Sequence, residues 1–541
     1  MNVPVSDLPS FAETREAVER EALPRNVGAV LDQAVARFAD RPYWISVDDG
    51  QRFTYRQFGN AVERCRAALA AFGVGFGTHV ALMLPNVPAF AITWLALAKL
   101  GAVMVPVNTR FTAAELDYVL SGSDAHILVI DAEYVPTLRE IGADRLSVTG
   151  ERTIVCGAPL PGYPHNWDSL VAAAEAGTPA REPEPDDLLT LQFTSGSTGF
   201  PKGCMLSHLY WTMIGKVRSR QGPPVERILL DLPIYYMGGQ WRLLMGLYLG
   251  ATVFVARQPT TSRFVDRLLQ FGIDFCSVSN TLAKLPDDPR YAQTGLKWAS
   301  SMALAKELHA DFEHRLHAPI LELYGMTEIG STMSVPAEAR HMVGSGSCGL
   351  PVAFRDCKIV GPDGAEVAPG QSGELWVSGP GLMLGYYKRP DVYAEIMQGK
   401  WLRTGDLFRK DGEGFHYIVG RIKDVIRRSG ENIASVEIEA ALCQMPEIAE
   451  AAALAVPDVK RGEEVKVCIV LNPGSSKDDV PPERILAFCA HRLARFKLPR
   501  YFAYVAAIPK TAKGSMAKHE LQAKGRDPRE GAFDALDGVW R

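Results

Sequence analysis

The stretch LLTLQFTSGSTGFPKG, Leu188 to Gly203, decides the fold. An apolar strand-like run leads into a loop in which Thr194, Ser195, Ser197 and Thr198 offer hydroxyls and Lys202 offers a charge. Gly196 and Gly199 permit backbone conformations that turn amide groups toward an anion. Such a loop wraps polyphosphate. The Walker spacing G-x-x-x-x-G-K-[ST] is not met, and Pro201 followed by Cys204–Leu206 predicts a second strand instead of an immediate helix. By composition alone a flexible Ser/Gly hairpin would be the favoured reading. The order of hydroxyls, glycines and lysine favours phosphate.

Around this loop, helical and strand patterns alternate from residue 28 to about residue 420, as in layered α/β structure. Ala61 to Phe72 and Ala89 to Leu100 read as helices, Val80 to Leu84 and Ala102 to Val107 as strands. The most membrane-like run, Ala89 to Val107, is broken by Lys99, Gly101 and Pro106, so we read it as a buried helix running into a core strand. Turn-rich punctuation at Gly361–Gly364 and Pro369–Gly373 marks a β-rich segment containing GELWVSG. Beyond Gly420 a helix (Ser435–Gln444), a strand (Val465–Leu471) and another helix (Pro481–Leu493) fit a small α+β domain, and the charged tail from Gly525 is expected to fray.

A chain of 541 residues suits about three or four folding units. With 58 basic and 62 acidic residues the net charge is -4, which excludes a nucleic-acid-binding field, so any nucleotide must be held by local chemistry. The nine cysteines lack Cys-x-x-Cys or His partners at metal spacing, so buried free thiols in a reducing cytoplasm are expected. The N-terminal residues show no basic patch with an apolar run, and no export is expected.

Further motifs follow in order: YGMTE (Tyr324–Glu328), GELWVSGPGLMLGYY (Gly373–Tyr387), TGD (Thr404–Asp406) and GRIKDVIRRSGENI (Gly420–Ile433). Together with the phosphate loop and the upstream ALAKLGAVMVPVN (Ala96–Asn108), the chain resembles the adenylate-forming (AMP-binding) superfamily of the acyl-CoA synthetase type over nearly its whole length. Within it, DVIRRSGENI, VPDVKRGEEVK and RFKLPRY look most like the carnitine/crotonobetaine-CoA ligase-like members. The resemblance implies an α/β fold: a large N-terminal domain of two α/β subdomains plus a β-rich subdomain, followed by a small mobile α+β C-terminal domain. It places residues 1–422 in the first, 423–541 in the second and the hinge at Lys423.

The resemblance also implies ATP, Mg²⁺ and CoA. Carboxylate and ATP would give an acyl-adenylate and pyrophosphate, a thiol would then attack, and a rotating small domain would serve both steps. Chemistry agrees with the expected roles. Thr194, Lys202 and Thr327 can meet phosphate, Glu328 is a hard oxygen ligand for Mg²⁺, and the aromatic face of Tyr324 can stack on adenine beside Gly325 and Met326. Taken alone, YGMTE would read as a helix start. Asp406 suits the ribose hydroxyls, with Arg421 assigned to ribose or phosphate by the family match. Gly430 in SGEN would leave room for the pantetheine arm.

Three places depart from the family pattern. PKTAKGSMAK, Pro509–Lys518, puts Ser515 where the family's last motif has its catalytic lysine; Lys513 is the candidate replacement, and solvation at the surface is the plain alternative for Lys513 and Lys518. LPIYYMGG, Leu232–Gly239, has Tyr235 and Tyr236 where an aromatic and a histidine are usual, making Tyr235, Tyr236, Gly239 and Trp241 pocket candidates. The usual adenine segment is altered to Ser300–Leu304, with Met302 and Ala303 at the site, Met302 facing substrate as well. An aromatic-filled pocket favours a compact or aryl acid. Arg242 could pair with a second acidic group, but surface solvation is the expectation. GSGSCG, Gly344–Gly349, satisfies a dinucleotide spacing without the strand and helix that such a site needs. His208 and His416 lack the partners for histidine catalysis.

The leading expectation is an ATP-dependent carboxylate-CoA ligase. Alternatives are an adenylate-forming enzyme with a non-CoA nucleophile, such as an amine ligase or nitrite-dependent diazotase, and a non-catalytic adenylate-binding protein. Expected partners are a small carboxylic acid and CoA, with no nucleic acid and no membrane span; the oligomeric state stays open, a homodimer included.

Overall fold

Two mainly parallel sheets form the larger part of the chain. The computed structural model describes residues 9–142, 147–175, 181–194, 201–302, 304–428, 431–459, 461–493, 495–510, 516–522 and 527–541. Ser195, Gly196, Ser197, Thr198, Gly199, Ala303, Gly430, Lys513 and Ser515 lie outside the described residues.

One sheet runs, edge to edge, Gly385–Tyr386, Lys202–Ser207, Leu188–Thr194, Val103–Pro106, His79–Met83, Ile127–Asp131, Thr153–Cys156 and His165–Asn166. The strands from Leu188–Thr194 onward are parallel, and the first two are antiparallel additions. The other sheet orders Leu350–Pro351, Gly330–Ser334, Ile320–Met326, Trp298–Ser301, Phe275–Ser277, Arg227–Leu230, Thr252–Val255, Pro42–Ser46 and Arg52–Thr54. It is parallel from Ile320–Met326 to Pro42–Ser46. Central strands such as VALM (Val80–Met83) and the ILL of Ile228–Leu230 are continuous apolar runs because helices cover both faces. These are the two α/β subdomains expected.

The membrane-like run resolves as read. Pro88–Leu100 is a helix with proline in its first turn and Gly101 in the left-handed conformation (φ 65°) at its end. Ala89 to Ala98 are all buried, so no side faces water. Lys99 is the exception that closes the helix: its Nζ lies 2.6 Å from both Asp32 and Glu63. No described helix is long and apolar enough to cross a membrane.

The described chain packs as two units. The first holds residues up to Thr194, Pro201–Cys357 and Val377–Leu402; the second holds Lys358–Trp376 and Arg403 onward. Packing therefore groups much of the β-rich segment with the C-terminal part. That segment orders the strands Asp356–Val360, Ser372–Ser378 and Trp401–Lys410, with His416–Arg421 on the last of these. The C-terminal α+β part is a seven-stranded sheet with the helices Ser435–Leu442 and Pro482–Ala490.

The tail does not fray as expected. Phe533–Asp534 and Val539–Trp540 are strands of the C-terminal sheet, the first pairing with Tyr501–Tyr504. Asp534 is fully buried and binds Arg500 at 2.9 Å and Arg541 at 2.7 Å. Its composition misled because one of those charges, Asp534, is a buried anchor for two arginines, while most of the others do stay at the surface. Of the nine cysteines, all free, six are buried, as expected.

Candidate active site

Thr194 ends one strand and Lys202 opens its antiparallel partner, and the two are paired across the ladder. The ends of the phosphate-loop sequence are thereby held side by side at a sheet's carboxyl edge, where α/β folds bind ligands. Lys202 Nζ sits 5.3 Å from the ring centre of Tyr386. Tyr386 lies on the edge strand that pairs with the strand of Lys202, and its hydroxyl donates to Glu328 Oε1 at 3.0 Å. Burial, then the nearby Glu328 carboxylate, push the Tyr386 pKa far up, so it remains a donor at any working pH. Sequence reasoning included its motif, GELWVSGPGLMLGYY, without giving Tyr386 a role; the pairing of two distant segments was the missing information.

YGMTE is no helix start. Tyr324 to Met326 finish a strand, and the chain turns through Thr327 and Glu328 into the antiparallel strand Gly330–Ser334. A Cβ on Gly325 would meet the Gly330 carbonyl oxygen at 2.3 Å, so this turn demands glycine. Thr327 and Glu328 are mostly buried, and the Glu328 carbonyl accepts from Met383 N at 3.0 Å. No three His, Cys, Asp or Glu among the described residues could hold a metal by themselves. A single carboxylate with one oxygen engaged by Tyr386 fits Mg²⁺, which needs one or two carboxylates and takes its other ligands from phosphate and water.

The segment LPIYYMGG is locked by amides. Asn86 donates to the carbonyls of Leu232 (3.0 Å) and Ala256 (2.9 Å) and accepts from Ile234 N (2.8 Å). Gln192 donates to Tyr235 O at 3.1 Å, and Asn108 to the Tyr236 hydroxyl at 3.1 Å. Tyr235 and Tyr236 stack edge-on at 4.8 Å, and burial pushes the Tyr236 phenol up to about 12. Gly239 faces backbone: a Cβ there would meet Ile234 Cα at 2.6 Å. Trp241 is buried, whereas Met302 is 57% exposed at the end of Trp298–Ser301. Arg242 is not solvated as expected but buried, because the helix Met237–Leu249 that carries it is buried at every position from Gly239 to Leu247.

In the second unit, Asp406 and Arg421 are brought together: Arg421 Nε lies 2.9 Å from Asp406 Oδ1 and the two are ladder partners. Gly405, at φ 72°, makes the kink before Asp406, and its N–H donates to Glu374 at 3.1 Å. Lys518 is not a solvated surface charge. Its Nζ is 2.6 Å from Glu439 and donates to Ser435 Oγ at 2.6 Å. Lys510 pairs with Glu450 at 2.8 Å. His208 is buried and accepts from Val27 N at 3.2 Å, as a structural histidine does. No helix follows Gly344–Gly349; Gly349 backs onto Ser334, where a Cβ would sit 2.0 Å from its carbonyl carbon.

Family models for an AMP-binding enzyme and for the AMP-binding enzyme C-terminal domain match residues 31–387 and 437–515. The chain belongs to the AMP-binding enzyme family. A sulfoacetate–CoA ligase of Cupriavidus necator is 32% identical over 92% of this chain and 97% of its own. A feruloyl-CoA synthase of an Amycolatopsis species is 31% identical over 88% and 94%. An o-succinylbenzoate CoA synthetase of Bacillus subtilis, solved with its acyl-adenylate intermediate, superposes with a TM-score of 0.79 at 25% identity, covering 94% of this chain and all of that one. This AMP-binding enzyme is an ATP-dependent, AMP-forming acyl-CoA ligase that uses ATP, Mg²⁺ and CoA.

Proposed function

We propose that this ligase activates a compact or aryl acid in a pocket bordered by Tyr235, Tyr236, Gly239, Trp241 and Met302. The observation that carries this reading is the fixed tyrosine pair, held by Gln192 and Asn108 at the start of the helix Met237–Leu249, on which Trp241 is buried. Bulky aromatic side chains at these positions favour a compact or aryl acid over a long chain.

Thr194, Lys202 and Thr327, with the loop Ser195–Gly199, hold the triphosphate, and Lys202 offsets charge on the departing pyrophosphate. Glu328, oriented by Tyr386, would hold Mg²⁺, which when bound neutralises phosphate charge. Tyr324, Gly325, Met326, Met302 and Ala303 receive adenine, Asp406 and Arg421 the ribose, and Gly430 borders the path of the CoA thiol arm. The residues beyond Lys423 act as the mobile domain, in a cytoplasmic enzyme.

Lys513 takes the part of the lysine that Ser515 replaces. Support comes from its neighbours: of the lysines in PKTAKGSMAK, Lys510 and Lys518 are both engaged by carboxylates. Acid-dependent exchange of pyrophosphate into ATP tests this. Lys513→Ala should cut the exchange by roughly 10² to 10³-fold, the usual cost of one transition-state donor. Undiminished exchange would remove Lys513 from the site. AMP release dependent on an amine or nitrite, without CoA thioester, would favour the non-CoA alternatives, and ATP binding without any exchange the non-catalytic one.

A further inference from the structure

Two guanidinium groups lie against the Trp241 ring. Arg242 Cζ is 4.3 Å and Arg218 Cζ 5.0 Å from its ring centre. Both arginines are almost fully buried, 2% and 3% exposed. Arg242 Nη1 donates to the Gly238 carbonyl, which folds the guanidinium back over the first turn of its helix. Arg218 Nη1 donates to Gln221 Oε1 at 2.8 Å.

The remaining groups are donors without acceptors. Arg242 Nε, Arg218 Nε and Gln221 Nε2 are buried and find no hydrogen-bond partner among the described residues. The charges are unbalanced too. Asp231 is the carboxylate that faces Arg242, and burial raises its own pKa; it also faces Arg267, which pairs with Asp48 at 3.4 Å. Arg218 faces Arg242 and the Tyr210 phenol, with no carboxylate. Burial lowers Arg218 to about 9 and Arg242 to about 10, so both stay charged near neutrality. Buried cations and N–H groups left without acceptors are costly, and such a cluster persists where something else supplies the oxygens.

We propose that Arg242, Arg218 and Gln221 receive a second anionic group of the acid substrate, so that the enzyme selects compact dianionic acids. This deepens the ligase reading above and rests on it. The group can be a carboxylate or a sulfonate; guanidinium donors suit the oxygens of both. Trp241, against whose ring both guanidiniums pack, holds them in place.

The full-length protein is titrated, without ATP, with succinate, 3-sulfopropionate and butyrate, reading tryptophan fluorescence, with Trp241→Phe assigning the signal. Both dianions should bind roughly 10 to 100-fold more tightly than butyrate. One dianion alone doing so would name the anionic group. Arg242→Gln should abolish the preference; Arg218→Gln should reduce it, and circular dichroism checks that each is folded. Equal affinity for butyrate, no dianion binding, or a preference unchanged in folded Arg242→Gln and Arg218→Gln would each overturn the proposal. Pyrophosphate exchange with the same acids keeps the two readings apart. Exchange with butyrate as efficient as with either dianion defeats this proposal alone, whereas no exchange with any acid defeats the ligase reading and leaves the binding result to decide this one.

Discussion

Glu328 has one carboxylate oxygen held by the Tyr386 hydroxyl at 3.0 Å. Removing that donor frees the carboxylate to turn away from the phosphates, so Tyr386→Phe should raise the KM for Mg·ATP about 10-fold, within the range for a hydrogen bond to a charged group. Steady-state kinetics at varied Mg·ATP measures this, and an unchanged KM would deny Tyr386 its orienting part. His208 gives a prediction in pH. Burial lowers its pKa to about 4 from the ordinary 6.5, and its Nδ1 accepts from Val27 N. The fold therefore favours the neutral ring: this contribution is complete above about pH 6.5 and is lost as pH falls toward 4, by about 3 kcal/mol. His208→Gln should flatten the thermal stability profile across that window.

At the scale of elements, the segment Leu232–Gly239 shows what the sequence did and did not disclose. Its departure from the family pattern at Tyr235 and Tyr236 was legible, because residue types and order are local facts. The amides that hold it were not: Asn86, Asn108 and Gln192 come from other strands and loops. The same holds for Tyr386, which reaches Glu328 across 58 residues of chain, and for Arg242, whose helix is enclosed by other elements at every position from Gly239 to Leu247. Strands and helices such as Val80–Leu84 and Ala89–Leu100 were legible as continuous apolar runs of strand or helix length bounded by Gly and Pro. Gly239→Ala tests how tightly the segment is set. The new methyl would strike the backbone of Pro233 and Ile234, with Ile234 Cα at 2.6 Å, so a loss of about 1–3 kcal/mol is expected. The apparent Tm should fall by a few degrees and acid activation should weaken with it.

Over the whole molecule, the near-neutral charge of the chain is read as leaving any nucleotide to a few local groups. Its C-terminal domain was legible in outline and misread at its end, since a run of charged residues does not announce that Asp534 will be fully buried among arginines. Burial alone would raise the Asp534 pKa; bonds from Arg500, Arg541 and Leu536 N outweigh it and hold the carboxyl well below the usual range. Its contribution is present above the ordinary aspartate range near pH 4 and is lost as acid protonates the folded state. Deleting residues 533–541 should remove the buried Asp534 partner of Arg500, leaving it Asp458, together with two strands of the sheet, and so destabilise this domain, seen as faster proteolysis of the segment beyond Lys423. The central claim, that the chain forms an acyl-adenylate despite Ser515, is tested most directly by acid-dependent exchange of labelled pyrophosphate into ATP without CoA: the account predicts exchange with at least one compact acid, and none with any acid, while ATP still binds, would contradict it.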